Sequence, residues 1–448
     1  MRELRKNRMR RHRFFLSIFL TLIMILVGGV RFSSAQDQSR RFTMENGLKV
    51  ILEENRTTPV VALQIWAKVG SADERDEEAG MCHFIEHMIF KGTEKRKVRE
   101  MAREIESLGG YINAYTSYDQ TVYHIAIASR YADTALDILA DAVQHSTFDP
   151  LELEREREVI LEEIRMGKDN PSNRLFNQTM STLFHHHPYR RPIIGFDKTV
   201  KSITKDQMVS FFKRWYTPNR MVLIAVGDVD SNQVVLSVKK GFNDLRKGNF
   251  VLPSIPQEKS FQKIKRSEIY KEKEQGHFVL GFLGTTLQHR DRYALEVLDA
   301  ALSGQGGRLF YELRDKESLA YALDFIANPN LDPGYIGVYM GTHPDKLERA
   351  IEGVLRELKR VKEEGLKEEE VQRAKRYLIG NFEIGLQTNG AQANQMSLDE
   401  LYGLGFDHYQ KYPQEIQKIT GEDVRQVAKK YFNLEAYSLA IIRPPKGK

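Results

Sequence analysis

Two kinds of hydrophobic pattern alternate along the chain: short apolar runs, and longer stretches in which apolar residues recur with helical spacing. The short runs predict strands at residues 48–52, 60–69 and 121–128. The longer stretches predict helices at residues 133–145, 150–166 and 205–216. The chain is therefore expected to adopt an α+β fold in which helices pack on sheets.

The same pattern divides the chain into two halves. Residues 202–226 carry a capped helix followed by an apolar strand, and residues 418–442 repeat that order at a constant offset of 216. Between the halves lies a polar tract with one glycine and two prolines, which is typical of a linker. We therefore expect two homologous domains, at residues 36–244 and 265–448, joined by a linker at 245–264.

The first 35 residues have a different composition from the rest. They contain eight basic residues, an uncharged and mostly apolar run at 14–30, and small residues at 33–35. This order predicts a cleaved export signal, and a retained membrane anchor is the alternative. In either case the body of the protein is expected outside the cytoplasm, in the periplasm or an equivalent compartment, with no membrane contact beyond that anchor.

Charge argues against a nucleic-acid partner, and the cysteine content excludes sites built from several cysteines. The pI is near 9.0, but residues 36–448 hold 59 basic and 60 acidic side chains, so no nucleic-acid partner is expected. Cys82 is the single cysteine of the 448 residues, which excludes an intramolecular disulfide and a cysteine-based zinc cluster.

The segment 79–92, AGMCHFIEHMIFKG, contains the most informative pattern. On a helix that turns about 100° per residue, His83, Glu86 and His87 fall within one arc, opposite the apolar residues. Three ionisable groups on one stripe of a buried helix are unfavourable unless they share a partner. A divalent metal held by both imidazoles, with Glu86 directed at a bound water, explains the pattern. Two hydrogen-bonded core histidines beside a chance glutamate are the alternative, so the hypothesis requires a third ligand.

The glutamate-rich helix predicted at 150–166 offers candidates for that ligand. Leu153 and Ile160 define its buried stripe, and Glu156 and Glu163 lie at the edge of it. The other four glutamates of this helix are expected to face solvent. Glu156 and Glu163 are about 10 Å apart along the axis, so they cannot both bind one ion. One is expected to be the ligand and the other to accept a hydrogen bond from a ligand imidazole.

Together, His83-Phe-Ile-Glu86-His87 and the Arg-Glu-Arg-Glu-Val-Ile-Leu-Glu-Glu-Ile string resemble the inverted zinc motif of the pitrilysin/insulinase metallopeptidases. The likeness covers nearly the whole chain after the first 35 residues and is strongest to the two-domain bacterial type, similar to mitochondrial processing peptidase. It implies that His83, His87 and Glu163 hold one Zn²⁺ per chain and that Glu156 supports the site. It also implies two homologous α/β-sandwich domains with antiparallel-rich sheets, arranged as half of a clamshell.

Two further tracts match this family. Residues 109–123 resemble the strand whose edge accepts the substrate backbone, which implies that Asn113 and Ala114 lie beside the scissile bond. A glycine-rich loop followed by Arg314 and Tyr321 resembles the family's Arg/Tyr pair, which implies donors for a developing oxyanion. From the residues alone, the first tract could equally be an ordinary half-buried strand, Arg314 a helix-end charge and Tyr321 a core aromatic residue.

No second metal site is expected. In the second half, the positions aligned with the two glutamates hold Ala374 and Asn381, and no H-x-x-E-H string occurs there. The histidines at residues 185–187 are expected in a surface loop without metal. Cys82 points about 100° away from His83, which favours a packing role for the thiol.

The sequence therefore predicts an exported zinc endopeptidase in which Glu86 activates the attacking water. Because the chain carries both the metal motif and the Arg/Tyr pair, a homodimer is expected, in which each site is completed by the partner's Arg314 and the partner's Tyr321. The expected substrates are peptides. The alternatives are a non-catalytic peptide-binding or scaffold relative, and an active subunit that requires a different, metal-free chain.

Overall fold

The computed structural model describes residues 40–245, 247–248, 255–272 and 275–445. In the first half, the described residues form six strands and eight α-helices, besides short 3₁₀ turns. The strands are β1 (Arg40–Thr43), β2 (Lys49–Glu54), β3 (Val60–Ala67), β4 (Tyr111–Thr116), β5 (Thr121–Ala128) and β6 (Met221–Gly227). The helices are α1 (Met81–Met88), α2 (Glu100–Ser107), α3 (Ala132–His145), α4 (Pro150–Asp169), α5 (Pro171–Leu183), α6 (Asp197–Ser202), α7 (Lys205–Trp215) and α8 (Ser231–Phe242).

The strands of the first half form one sheet in the order β1-β2-β6-β3-β5-β4. Strands β2 and β6 run parallel, and all other neighbours are antiparallel. Strand β4 pairs only with β5 among the described residues, in a register that runs from Tyr111 opposite Ala126 to Thr116 opposite Thr121. It is therefore an edge strand with one free side.

The described residues of the second half form five strands, six α-helices and a π-helix at Phe310–Lys316, which carries Arg314. The strands are β7 (Lys265–Tyr270), β8 (Gly276–Leu283), β9 (Ala322–Asn328), β10 (Tyr335–Thr342) and β11 (Ser438–Arg443). The helices are α9 (Asp291–Leu302), α10 (Leu347–Glu364), α11 (Glu368–Gly385), α12 (Asn389–Leu401), α13 (Tyr412–Lys418) and α14 (Gly421–Tyr431).

The second sheet repeats the first. Its order is β7-β11-β8-β10-β9, with only β7 and β11 parallel, which matches the β2-β6-β3-β5-β4 part of the first sheet. Helices α7 and α14 begin at equivalent capping boxes, made by Thr204 with Gln207 and by Thr420 with Asp423. The predicted fold class, two homologous α/β halves with antiparallel-rich sheets, is confirmed.

Each sheet is covered on one face by a helix from the other half of the chain. Helix α5 packs on β8 and β11, and helix α12 packs on β3 and β6. Ala393 and Met396 of α12 are buried against Trp66, Val222 and Ile224. Strands β3 and β6 are consequently buried on both faces, which explains their continuous apolar sequences.

Most predicted elements occur within a few residues of their expected bounds, and strand 121–128 coincides with β5. One expectation is wrong: residues 109–123 are not a single strand, because the chain turns at residues 117–120 between β4 and β5. The domain limits stay a prediction, as does the export signal at 1–35, which lies outside the described residues. Within the described residues, every helix is too short or too polar to cross a membrane.

Because α12 covers one face of the first sheet, residues 40–244 expressed alone are expected to expose an apolar surface and to aggregate. Co-expression with residues 255–448 should restore a soluble complex. Size-exclusion chromatography and binding of the dye ANS measure this. If residues 40–244 alone are monomeric, bind no dye and unfold cooperatively, the first half does not need helix α12 to cover its sheet.

Candidate metal centre

The start of helix α1 is fixed by two neighbouring groups. Gly80 has φ +96°, and a side chain there would approach the carbonyl oxygen of Ile194 to 2.7 Å. The buried carboxylate of Glu74 accepts hydrogen bonds from the backbone N–H groups of Gly80 and Cys82, at 2.9 and 2.7 Å. These bonds satisfy donors at the helix N-terminus. Both hydrogen bonds lower the pKa of Glu74, but loss of solvation on burial has the larger effect and raises that pKa to about 8.

Helices α1 and α4 pack together and bring three predicted ligands to one point. The Nε2 atoms of His83 and His87 lie 3.8 and 3.7 Å from Oε2 of Glu163. One ligand atom from each residue lies within 4.8 Å of the other two, and no other such group of histidine, cysteine and carboxylate side chains occurs in the described part of the chain. All three side chains are partly buried.

The donor set fits Zn²⁺, which prefers nitrogen and oxygen ligands of this kind in tetrahedral sites with one position left open. Burial, with a smaller contribution from His87, lowers the pKa of His83 to about 3, which keeps its imidazole neutral and able to bind a metal. Burial also disfavours the charged form of His87, but Glu156, Glu163 and Glu86 outweigh that effect and raise the pKa of His87.

Glu156 orients one of the two imidazoles. It accepts a hydrogen bond from Nδ1 of His87 at 3.1 Å and another from Nζ of Lys91 at 2.5 Å. The first bond leaves Nε2 of His87 free to face Glu163. Burial raises the pKa of Glu156, but His87 and Lys91 outweigh it, and the pKa falls below its usual value. The carboxylate is therefore held in its charged form beside the ring.

Glu86 lies beside the three predicted ligands, half-buried. Burial raises its pKa, and the nearby charge of Glu163 adds to that effect. The hydroxyl of Thr116, the last residue of β4, donates a 2.6 Å hydrogen bond to Oε2 of Glu86. A carboxylate with a raised pKa and a fixed orientation is suited to general-base chemistry.

The other predicted site residues lie in two places. Asn113 and Ala114 lie on the edge strand β4, whose end is connected to Glu86 through Thr116. Arg314 and Tyr321 lie in the second half and are solvent-exposed, Tyr321 to 56%, so Tyr321 is not a core residue. Among the described residues neither makes a hydrogen bond or ion pair with the predicted metal ligands, and the guanidinium of Arg314 lies over the ring of Phe310 at 4.3 Å.

Two expectations about neighbouring residues are wrong. Glu152 does not face solvent but is buried and paired with Arg155 in the first turn of α4, where a carboxylate is favoured by the helix dipole. His187 is not a loop surface residue: it is 2% exposed, because its ring packs on Tyr189 and accepts that residue's backbone N–H. Cys82 is buried, as its packing role predicts.

Sequence reasoning missed Glu74, Lys91 and Thr116. Lys91 could have been found, because it follows His87 by four residues, the spacing at which side chains are neighbours in a helix. Helix α1 ends at Met88, but Lys91 still reaches Glu156. Glu74 and Thr116 come from a loop and from an edge strand, where periodicity gives no signal.

Two family models and several curated relatives match this chain. Residues 49–197 match the family model described as insulinase (peptidase family M16), and residues 202–378 match the model described as the peptidase M16 inactive domain. The uncharacterized zinc protease YmxG of Bacillus subtilis is 32% identical over 90% of this chain and 98% of its own length. An uncharacterized zinc protease of Rickettsia bellii is 33% identical over 90% of this chain and 96% of its own.

Solved structures show the same fold. A protease from Helicobacter pylori superimposes with a TM-score of 0.85 at 25% identity, covering 91% of this chain and 100% of that one. A structure described as the peptidase M16 inactive domain from Pseudomonas fluorescens superimposes with a TM-score of 0.84 at 23% identity, covering 92% and 99%.

The contacts of Glu156 predict its effect on metal affinity. Glu156→Gln keeps an acceptor for His87 but loses the negative charge, so Zn²⁺ affinity should fall about 10- to 100-fold. Glu152→Gln, a buried glutamate of the same helix without a contact to either imidazole, is the matched control. Competition with a chromophoric chelator measures both affinities. Equal losses in the two variants would contradict the role of Glu156.

Proposed function

The chain belongs to the insulinase family, peptidase family M16, and we propose that it is a zinc-dependent endopeptidase that hydrolyses peptides or unfolded polypeptides. The observation that carries this proposal is the convergence of two imidazole nitrogens and one carboxylate oxygen beside a second, half-buried carboxylate. His83, His87 and Glu163 would hold the metal, and Glu86 would remain free for proton transfer.

Zn²⁺ at this site would supply a Lewis acid that polarises the peptide carbonyl and acidifies the attacking water. Glu86 would take the proton of that water during attack and deliver it to the leaving amine, since its raised pKa suits both steps. Thr116 holds one oxygen of Glu86, so the other is available to the water. Lys91 and Glu156 keep the His87 ring in one orientation throughout.

The free edge of β4 is the best candidate for peptide binding. A substrate backbone added there would extend the sheet by main-chain hydrogen bonds, which recognise extended peptides with little demand on side chains. The N–H of Ala114 is covered by the side-chain oxygen of Asn113 at 2.8 Å. A bound peptide would therefore have to displace the Asn113 side chain, which would then be free to contact the substrate.

Arg314 and Tyr321 are proposed to act at the metal site of a second subunit, where they would stabilise the oxyanion that forms during peptide hydrolysis. Both are exposed and neither contacts the metal site within the described chain, so a partner copy is the simplest way to complete the site. We further propose that the protein acts outside the cytoplasm, on the basis of the sequence of residues 1–35.

Glu86→Gln should abolish proton transfer while leaving the three ligands intact. We expect the turnover of a quenched fluorescent peptide library to fall about 10²- to 10⁴-fold, with Zn²⁺ content unchanged. Chelation should abolish activity, and added Zn²⁺ should restore it. The control is Glu162→Gln, an exposed glutamate of α4 that points away from the site.

Other outcomes of that assay would favour the alternatives. A metal-loaded wild-type chain that cleaves none of the library would indicate a binding or scaffold relative. Cleavage that appears only after a different, metal-free chain is added would indicate a heteromeric enzyme.

Sharing of the site between subunits predicts complementation. A Glu86→Gln chain and a Tyr321→Phe chain should each be weakly active, and an equimolar mixture should form mixed dimers with one intact site. If subunits exchange at random, about half of the dimers are mixed and each has one intact site of two, so about one quarter of wild-type activity should return. Activity of the mixture no higher than the mean of the two variants, with mixed dimers confirmed by native mass spectrometry, would show that Tyr321 acts in cis or not at all.

A further inference from the structure

A row of aromatic rings crosses the first sheet and ends at its free edge. Tyr111 and Tyr115 lie on the edge strand β4, and His124 on β5 lies midway between them in the register. The ring centroid of His124 is 6.0 Å from that of Tyr111 and 6.2 Å from that of Tyr115. Tyr115 in turn meets the buried Trp66 of β3 edge-on at 6.2 Å. The row therefore runs from a buried indole to the edge strand.

These rings lie on the face of the sheet that points away from the predicted metal ligands. Successive side chains of a strand point to opposite faces. On β4, Thr116 reaches Glu86, and Ile112 on the same face packs against the core of the first half. Tyr111 and Tyr115 are at odd-numbered positions and therefore point to the other face, on which α12 packs.

Helix α12 leaves the outer end of this row uncovered. Its Asn394 lies 3.5 Å from the hydroxyl of Tyr115, but Tyr111 is 57% exposed. Across the sheet, Tyr111 is paired with Ala126, which is paired with Ala62 of β3. Methyl groups therefore follow the Tyr111 ring on one side, and the free edge of β4 lies on the other.

A single exposed tyrosine is ordinary on a protein surface. Tyr111 differs because a peptide added to the edge of β4 would place its own side chains directly beside this ring. Directly opposed side chains of neighbouring strands have Cβ atoms about 4.5–5.5 Å apart, and aromatic pairs at such positions attract each other. Burial lowers the pKa of His124, so its ring is neutral and adds an uncharged aromatic surface beside Tyr111.

We propose that Tyr111 and His124 form a subsite for an aromatic side chain of the bound peptide. This inference rests on the proposed peptidase function and names the class of side chain that favoured substrates carry. Tyr111 is two residues from Asn113 and five from Thr116, so the favoured side chain lies two to five residues from the scissile bond. At about 3.4 Å per residue, that separation is roughly 7–17 Å.

Peptide binding to the zinc-loaded Glu86→Gln chain, measured by fluorescence polarisation, tests the subsite without cleavage. One labelled peptide contains only serine and alanine, and the other is identical except for one central tyrosine. We expect the tyrosine peptide to bind about three- to tenfold more tightly. Adding Tyr111→Ser should reduce this ratio to near one. Adding Tyr111→Phe, which keeps the ring, should preserve it.

Tyr270→Ser is the matched control. Tyr270 is also an exposed tyrosine, at 55%, on an edge strand, but it lies on β7 in the other half of the chain. Adding Tyr270→Ser to the Glu86→Gln chain should leave the ratio of the two affinities unchanged. An equal loss of preference in the Tyr270 and Tyr111 variants would overturn the assignment of the subsite.

Cleavage by the wild-type chain, mapped by mass spectrometry, gives a second readout. When the tyrosine is moved along the peptide, the cleaved bond should move with it at a fixed separation. In Tyr111→Ser, the cleaved bond should no longer follow the tyrosine.

The two readouts separate failure of the subsite from failure of the proposed function. Cleavage that ignores the tyrosine, or an affinity ratio that Tyr111→Ser leaves unchanged, overturns the subsite and leaves the peptidase function standing. The expected affinity ratio without any cleavage supports the subsite and contradicts the peptidase function. Absence of binding by both peptides overturns the subsite as well.

Discussion

The crowding of acidic and imidazole groups at the contact of α1 and α4 is the constraint on which the rest of the site depends. His83, His87, Glu86, Glu156 and Glu163 share a partly buried volume, and Lys91 is the basic side chain that forms an ion pair with one of them. Such a group is costly in a protein interior unless further positive charge compensates it. A divalent cation held by His83, His87 and Glu163 would supply that charge, which is why the arrangement favours a metal centre over a core network.

The architecture supports this site through a duplicated and interlocked fold. The two sheets share one strand order, and helices α5 and α12 each pack on the sheet of the other half. The duplication is chemically asymmetric, because Ala374 and Asn381 stand where the first half has Glu156 and Glu163. Tyr321 immediately precedes β9, the edge strand equivalent to β4. One half thus carries the predicted metal ligands, and the other presents the exposed hydroxyl of Tyr321 beside the equivalent edge strand.

Much of this could be predicted from the sequence because helical periodicity reports burial. The apolar stripe of α4 singled out Glu156 and Glu163, and the structure brings both to the imidazoles. The exchange of α5 and α12 could not be predicted, since an apolar helix face shows that a helix is buried but not which sheet covers it. Glu152 was misplaced for a similar reason: the helical wheel ignores the segments that pack around a helix end.

X-ray absorption spectroscopy at the zinc edge of the purified, zinc-loaded chain tests the central claim most directly. The account predicts about one Zn²⁺ per chain, with nitrogen and oxygen ligands at about 2.0–2.1 Å that include two imidazoles, and loss of this signature in a His83→Ala, His87→Ala double variant. A sulfur ligand at about 2.3 Å, which only Cys82 or a methionine could provide, would contradict it. So would an unchanged spectrum in the double variant, because zinc would then be bound elsewhere.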